Sequence, residues 1–301
     1  MRLTDLDLRL MQLFLTIVDN RGLSAAQTNL NLGLSTISSH LSTLENRLGV
    51  KLCERGRSGF RLTEEGEKVY QIARQLAGSV STANSELASL RNILVGKLRI
   101  GTVDNVVNNP AAHIAEALHT FDLRKHEVSV TVEIISPRDL ERQVSDGVLD
   151  IGIGPRIHNL GSLDYDFLFT EKQYLYCGRK HPLYDKAPDA WTDGHAALQK
   201  YASHICPLPD TPDYNVFRSA SVAHNMESVA IFVVSGRFIG FLPEHYARQW
   251  VNTDMMRPIR PDLYIYENSF YSFRSKSQRA NRLIGQYRRD LISEQKQGLA
   301  R

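Results

Sequence analysis

Apolar residues in the first third of the chain recur at helical spacing. In LSTISSHLSTLENRLG, residues 34 to 49, Leu34, Ile37, Leu41, Leu44 and Leu48 step by three and four, the stripe of a helix with one buried face. Six of those sixteen residues are Ser or Thr, types that compete for backbone hydrogen bonds and favour caps and turns. An earlier segment, LDLRLMQLFLTIVDN, carries Leu6, Leu10, Leu13 or Phe14, and Ile17 on one face. SAAQTNL follows, with Ser24 the expected N-cap, and Asn31-Leu32-Gly33 supplies a tight turn. KLCE and FRLT then read as two short strands around Arg55-Gly56-Arg57-Ser58-Gly59. Helix, helix, glycine-bearing turn, helix and basic hairpin is the order of a winged helix-turn-helix.

Beyond this segment Thr63 is placed to cap a helix whose first turn holds Glu64 and Glu65. Its seam runs Val69, Ile72, Leu76, Val80, Ala83, Leu87, Leu90 and Leu94, steps of three and four over a length unusual for one globular helix. A dimerising helix pair is the favoured reading, a helix packed on its own domain the other. After Gly96 the pattern alternates. KLRIGTV, VSVTVEII and LDIGIGP read as buried strands, separated by the helical PAAHIAEALHTFDLRKH and SPRDLERQVSDGV. Three strands with two crossovers predict a parallel α/β sheet. LYCGRKHPL, HICPLP, AHNMESVAIFVVSG and RFIGFLPEHYARQW make a second region, and YIYENSFYSF and SQRANRLIGQYRRDLISEQ close the chain.

A length of 301 residues fits two or three domains. No run approaches the ~20 apolar residues of a membrane span, and MRLTDLDLRLMQLF lacks the features of a signal peptide. Cys53, Cys177 and Cys206 form no CxxC pair, which predicts neither a disulfide framework nor a zinc site and suits a reducing cytoplasm. His113, His119 and His126 have no Cys or carboxylate partners at metal-ligand spacing. With no phosphate loop, nucleophile elbow or HExxH, neither catalysis nor a cofactor is expected. Gly152 and Gly154 read as a tight strand exit.

Charge adds a polarity. Residues 1 to 62 hold eight Lys/Arg against five acids and so carry the whole net charge of +3. Between 47 and 61, five basic residues face one acid. A basic end on a neutral body suits a polyanion met at that end. With Ile37, Leu41, Leu44 and Leu48 turned inward, Ser35, Ser39, Ser42 and Asn46 share the opposite stripe, flanked by Thr36, Ser38 and His40. Short polar side chains let a helix approach a major groove closely while its positive end meets phosphate. Ser35, Thr36, Ser38, Ser39 and His40 are therefore the expected DNA contacts, with Arg55 and Arg57 on phosphate or in a minor groove.

Ser24-Ala25-Ala26, Leu30, Ser38, Leu44-Glu45, Leu48-Gly49, Leu52, Arg55, Leu62-Thr63 and Gly66 together resemble the LysR-type transcriptional regulators. LRIGTV, LDIGIGP, GRKHPL and SGRFIGFLPEHY extend the resemblance over nearly the whole chain. The departures are Gly33-Leu34 where the family often has Ser-Gln, His40 where Gln or Arg is common, and Cys53 where Phe is usual.

The resemblance implies a winged helix-turn-helix over residues 1–63, a linker or dimerisation helix over 64–95, and an effector-binding domain over 96–301. That domain has the two-lobed α/β fold of periplasmic solute-binding proteins. Lobe 1 would span about 97–170 and 268–301, and lobe 2 about 171–267. Ser24 and Ser42 join the DNA-facing set, and Val69, Ile72, Leu76, Val80, Ala83, Leu87 and Leu90 the dimerisation set. Ligands of parallel sheets sit beyond the strands' carboxyl ends. This places a small organic effector near Thr102, Val103, Asp104 and Asn105, then Ser136 and Pro137, and Pro155 and Arg156. Asp210, Thr211 and Phe241 would face it from lobe 2. The expected partners are double-stranded DNA at an interrupted palindrome, the effector, and further copies in a dimer or tetramer, with RNA polymerase a further candidate. The competing reading is a cytoplasmic solute-binding or substrate-processing α/β protein with an N-terminal interaction module.

Overall fold

The computed structural model describes residues 3–56, 59–89, 93–186, 200–204 and 217–298. It separates into two compact units, Met1–Asn84 and Ser85–Arg301.

In the first unit, helices α1 (Asp5–Asp19), α2 (Leu23–Leu30) and α3 (Leu34–Leu48) precede a hairpin of β1 (Cys53–Gly56) and β2 (Gly59–Leu62). The hairpin pairs Cys53 with Leu62 and Gly56 with Gly59. The stripes converge as their spacing demands: Phe14, Ile17, Ala26, Ile37, Leu41, Leu44 and Leu52 are fully buried. Each buried Leu or Ile contributes about 2 kcal/mol of transfer free energy. Leu34 departs from its stripe at 45% exposed, because the first turn of α3 projects beyond the core that Ile37 enters. Ser24 does not cap α2. Gly22 stands at the N-cap with φ of 149° and its carbonyl accepts from Ala26 N, so the helix starts two residues earlier and Ser24 is exposed.

Two acids, Asp7 and Glu45, fix α3 in place. Asp7 accepts from Arg47 Nε at 2.5 Å and Nη2 at 2.8 Å, and from Thr4 N and Oγ1. The hydrogen-bonded Arg47 guanidinium holds its carboxyl well below the usual carboxylate range. Buried Glu45 accepts from Leu52 N at 3.0 Å and Lys51 Nζ at 3.0 Å, tying the end of α3 to the hairpin.

Helix α4 (Glu64–Ser89) is capped by Thr63, whose Oγ1 accepts from Gly66 N at 2.9 Å and donates to Lys51 O at 2.7 Å. Gly66 is required there: a Cβ would lie 1.9 Å from Leu52 O. The expected seam overruns the helix, since Leu94 opens strand β3. Within α4 the seam divides. Val69 and Leu76 pack half-buried on the core, while Ile72 (54%), Val80 (40%), Ala83 and Leu87 (64%) are exposed.

The second unit holds one described sheet in the order β4-β3-β5-β11-β6-β9-β7-β8, with β10 paired to β6. Strands β3 (Leu94–Thr102), β4 (His126–Ile134) and β5 (Ile151–Pro155) are parallel, joined through α5 (Ile114–Asp122) and α6 (Pro137–Ser145). Helix α5 begins later than its apolar pattern predicts, because His113 turns with φ of 48°. The sheet is mixed rather than parallel: β11 (Ile265–Ser275) runs antiparallel to β5 and to β6 (Leu163–Gly178).

The long strands β6 and β11 serve both lobes. Phe270–Phe273 of β11 pair with β5 in lobe 1, while Gln173–Cys177 of β6 pair with β9 (Ile239–Pro243) in lobe 2. Lobe 2 adds β7 (Lys200–His204), β8 (Arg218–Ala223), α7 (Met226–Val234), α8 (Glu244–Val251) and β10 (Met256–Pro258). Helix α9 (Arg282–Gly298) returns to lobe 1 and buries Leu283, Ile284, Tyr287 and Leu291. Strand β5 is buried throughout, and Gly152 answers to packing: a Cβ there would lie 2.2 Å from the Phe273 ring. Gly154 is likewise closed in by Leu140. Neither glycine is the strand exit their motif suggested.

Candidate nucleic-acid interface and effector cleft

Gly33 begins α3 without a side-chain cap, which leaves the first turn bare, and Arg47 sits in the last turn. Ile37, Leu41 and Leu44 face inward, so Ser35, Thr36, Ser39 and Asn46 are exposed while Ser38, His40 and Ser42 are half-buried on the flanks. Thr43 folds back to donate to Ser39 O at 2.9 Å. Close to the N-terminus the face thus carries three short hydroxyls, no acid and first-turn backbone N–H groups that no described side chain caps. Such a face can enter a groove and hold phosphate. Arg55 lies in β1, Arg57 and Leu90 lie outside the described residues, and Ser24 is exposed on α2.

In the effector unit the expected residues of lobe 1 meet at three adjacent strand ends. Thr102 Oγ1 donates to Ile153 O at 3.0 Å, and Ile135 N donates to Thr102 O at 2.8 Å, so Thr102 lies beside Ile134 and Ile153, with Ser136 and Pro155 two residues beyond them. Pro137 is buried as the first residue of α6 behind Ser136. Arg156 is exposed with its guanidinium 4.9 Å from the Tyr271 ring centre and 5.8 Å from that of Tyr165. Asp210 and Thr211 lie outside the described residues. Phe241 does not open to the cleft. It is 4% exposed and packs edge-on to Tyr266 and Phe217, because β9 is covered on both faces.

Asp104 has a role its motif did not announce. Its Oδ2 accepts from Met226 N at 2.7 Å, so a lobe 1 carboxylate meets the positive end of a lobe 2 helix. Beside it, Asn105 O contacts His245 Nε2 at 2.9 Å, a second bond between the lobes. Asn105 takes φ of 63°, which turns that carbonyl across.

Behind these bonds lies a buried polar cluster. Glu171 accepts from Gln173 Nε2 at 2.7 Å and Asn109 Nδ2 at 3.2 Å, with His245 Nδ1 at 3.7 Å. Burial pushes Glu171 up to about 7 from the usual 4.5, with Asp104 adding to the rise, and burial pushes His245 down. Among the described residues, neither amide atom of Asn268, opposite Glu171 across β11 and β6, has a hydrogen-bond partner. The signal was present in sequence: Glu171 and Gln173 sit two apart in a strand, on the face whose apolar neighbours are buried. A cavity of about 450 Å³ in lobe 1 touches Thr102, Val103 and Asn105 and is lined mainly by the following loop, α5 and β4.

Asp104→Ala is expected to loosen the closure of the two lobes. It removes an acceptor of a charge-assisted bond of about 1–2 kcal/mol. Amide exchange at Met226 should rise and the unit should melt a few degrees lower; unchanged exchange at Met226 would contradict the assignment.

The family described as "Bacterial regulatory helix-turn-helix protein, lysR family" matches residues 8–67, and the "LysR substrate binding domain" matches residues 92–291. The transcriptional activator BauR of Pseudomonas aeruginosa is 34% identical over 288 residues, covering 95% of this chain and 94% of its own. Among solved structures, a full-length OxyR variant of Pseudomonas aeruginosa superposes with a TM-score of 0.67 at 17% identity, covering 97% of this chain and 95% of its own. CbnR complexed with its target DNA superposes with a TM-score of 0.60 at 15% identity, covering 96% and 99%. These two establish the shared fold. No described helix is long and apolar enough to cross a membrane. The solute-binding or substrate-processing alternative is not favoured by any of these matches. Both family segments and the near full-length relative lead to one assignment: the chain belongs to the LysR family, DNA-binding transcriptional regulators that respond to a small-molecule effector.

Proposed function

We infer that this regulator reads DNA through the exposed face of α3, with Ser35, Thr36 and Ser39 at the centre and Ser38, His40 and Ser42 on the flanks. Arg55 and Arg57 follow the backbone from the hairpin, and Ser24 approaches from α2. The observation that carries the reading is the hydroxyl-lined, acid-free first turn of α3, held rigidly by the Asp7–Arg47 and Glu45–Leu52 bonds. A solvated structural face would more commonly hold Glu, Lys and Gln. Like its relative BauR, the chain would act as an activator, in the cytoplasm, with RNA polymerase as its downstream contact.

The exposed residues Ile72, Val80, Ala83 and Leu87 form the pairing stripe of α4, and Leu90 would extend it. Pairing makes a two-fold protein, which calls for two half-sites spaced by about one DNA turn or a multiple of it. Val80→Asp with Leu87→Asp is expected to yield monomer by light scattering and to weaken DNA binding. An oligomer of unchanged mass would reject this stripe.

A small organic effector would sit where the β3, β4 and β5 ends meet lobe 2, near Thr102–Asn105, Ser136 and Arg156. Two cross-lobe hydrogen bonds, from Met226 N to Asp104 and between His245 and Asn105, define the arrangement that a ligand would bias. Fluorescence anisotropy across a salt series tests the DNA reading. Affinity should fall steeply as salt rises; binding indifferent to DNA sequence would overturn it.

A further inference from the structure

Five arginines, Arg274, Arg279, Arg282, Arg288 and Arg289, line a cavity of about 280 Å³ at the start of α9. Two carboxylates stand among them. Asp164 accepts from Arg279 at 2.6 and 2.5 Å and lies 3.9 Å from Arg274 Nε, and Asp166 lies 2.5 Å from Arg288 Nη2. Among the described contacts, the guanidiniums of Arg274, Arg279, Arg288 and Arg289 stand against two carboxylates, Asp164 and Asp166, which leaves this part of the cavity positive. The side chain of Arg288 is only 9% exposed, and the Nε atoms of Arg274 and Arg288 are buried without a hydrogen-bond partner among the described residues. Burial and the neighbouring Arg288 charge lower the pKa of Arg274, as expected where like charges crowd.

Two of these groups converge. A Cβ built on Gly285 would lie 3.6 Å from Arg289 Nη1 and 3.8 Å from Arg274 Nη1, so both nitrogens face one point above a bare Cα. Arg289 donates to Gln286 Oε1 at 2.7 Å, a neutral partner. Guanidinium nitrogens of two arginines gathered within 4 Å of one point suit an oxyanion, which accepts charge-assisted bonds from such groups.

The cavity is separate from the effector cleft. Phe270 pairs with Pro155 at the cleft end of β5, whereas Arg274 lies beyond the pairing of Phe273 with Gly152 and opposite Asp164 near the start of β6. That is the other end of lobe 1.

We propose that this arginine cavity is a second ligand site, which takes a small multivalent oxyanion: the phosphate of a phosphorylated metabolite or a polycarboxylate. An anion there neutralises the excess charge and ties α9 to β6 and β11, the two strands that run on into lobe 2. It therefore gives the regulator an input distinct from its effector. The proposal does not depend on where the effector itself binds.

The test is calorimetry and thermal unfolding of the full-length protein in pyrophosphate or citrate, against sodium chloride at equal ionic strength. Arg289→Gln is the first variant, since Arg289 is exposed and both carboxylate pairings survive its loss. Gly285→Glu is the second: its Cβ has room, and its carboxylate, two bonds further out, can pair with the neighbouring Arg274 and Arg289 guanidiniums. The expected result is a melting temperature raised by a few degrees in one of the two anions but not in chloride. Arg289→Gln should weaken binding about tenfold or more. Gly285→Glu should raise the melting temperature without ligand and remove the response. Preference for pyrophosphate or citrate tells phosphate from carboxylate as the natural group. No rise beyond chloride, or an equal rise in Arg289→Gln, would overturn the site. So would loss of duplex-DNA affinity in Arg289→Gln with no response to either small anion, since the cavity would then serve DNA.

Discussion

Replacing Glu171 with Gln is expected to flatten the fall in stability that the wild-type protein shows as pH rises from about 5 to about 8. Glu171 is buried at the junction of the lobes, and burial raises its pKa from 4.5 to about 7. The folded state therefore holds the proton more tightly than the unfolded chain. Its contribution is fully present below pH 4.5 and is lost as pH rises through about 7. The difference amounts to about 3 kcal/mol, enough to move the melting temperature by several degrees. His245, pushed down by burial, acts in the opposite sense and loses stability as pH falls below the usual imidazole range. The variant keeps a neutral group of the same shape. Its amide can be accommodated because Gln173 Oε1 has no partner among the described residues and the Gln173 amide can turn. Differential scanning calorimetry from acid to mild base checks this. Parallel curves for wild type and Glu171→Gln would show that the carboxyl is not what titrates.

The second large effect is on DNA. Ser35→Glu with Ser39→Glu puts two carboxylates one helical turn apart on the exposed face of α3. Both sites are exposed, so the fold should survive with a melting temperature within about a degree of wild type. Against phosphate, two like charges at an interface cost several kcal/mol, and DNA affinity should drop about a hundredfold or more. The control is one Glu at exposed Ser81 of α4, matched in charge to Ser35→Glu alone, and it should bind as wild type does. Equal loss in that control would reduce the effect to net charge and remove α3 from the interface.

The N-terminal unit was the more legible part of the sequence. Its stripes are short, repeat at helical spacing and meet in one core, so Ile37, Leu41 and Leu44 could be placed inward and Ser35 and Ser39 outward from periodicity alone. What escaped there were terminal effects: Leu34 lies on the stripe but above the core, and a glycine with positive φ displaced the expected Ser24 cap. Seam arithmetic also carried α4 too far, because Leu94 fits a helical step as well as it opens a strand. In the effector unit, three strands could be read from apolar runs, but β4 is not buried as its run suggested: it is the sheet's edge strand, with Val132 47% and Ile134 64% exposed, and runs carry no direction. The antiparallel insertion of β11 between β5 and β6 depends on residues far apart in the chain, Phe270 with Pro155 on one side and Ile265 with Tyr174 on the other. The cleft was legible only by its strand ends. Asp104 looked like an ill-fitting charge until its partner, the N-terminus of α7, came from 122 residues away. Glu171, Asn268 and His245 likewise become a cluster only when two long strands and α8 are brought together.

The central claim is that α3 reads a two-fold DNA site. Selection from a pool of randomised duplexes, wild type beside Ser35→Glu, Ser39→Glu, tests it most directly. The expected outcome is one enriched motif with two inverted half-sites, recovered by wild type and lost by the variant. Enrichment of no motif by the wild-type protein, or of the same motif by both, would contradict it.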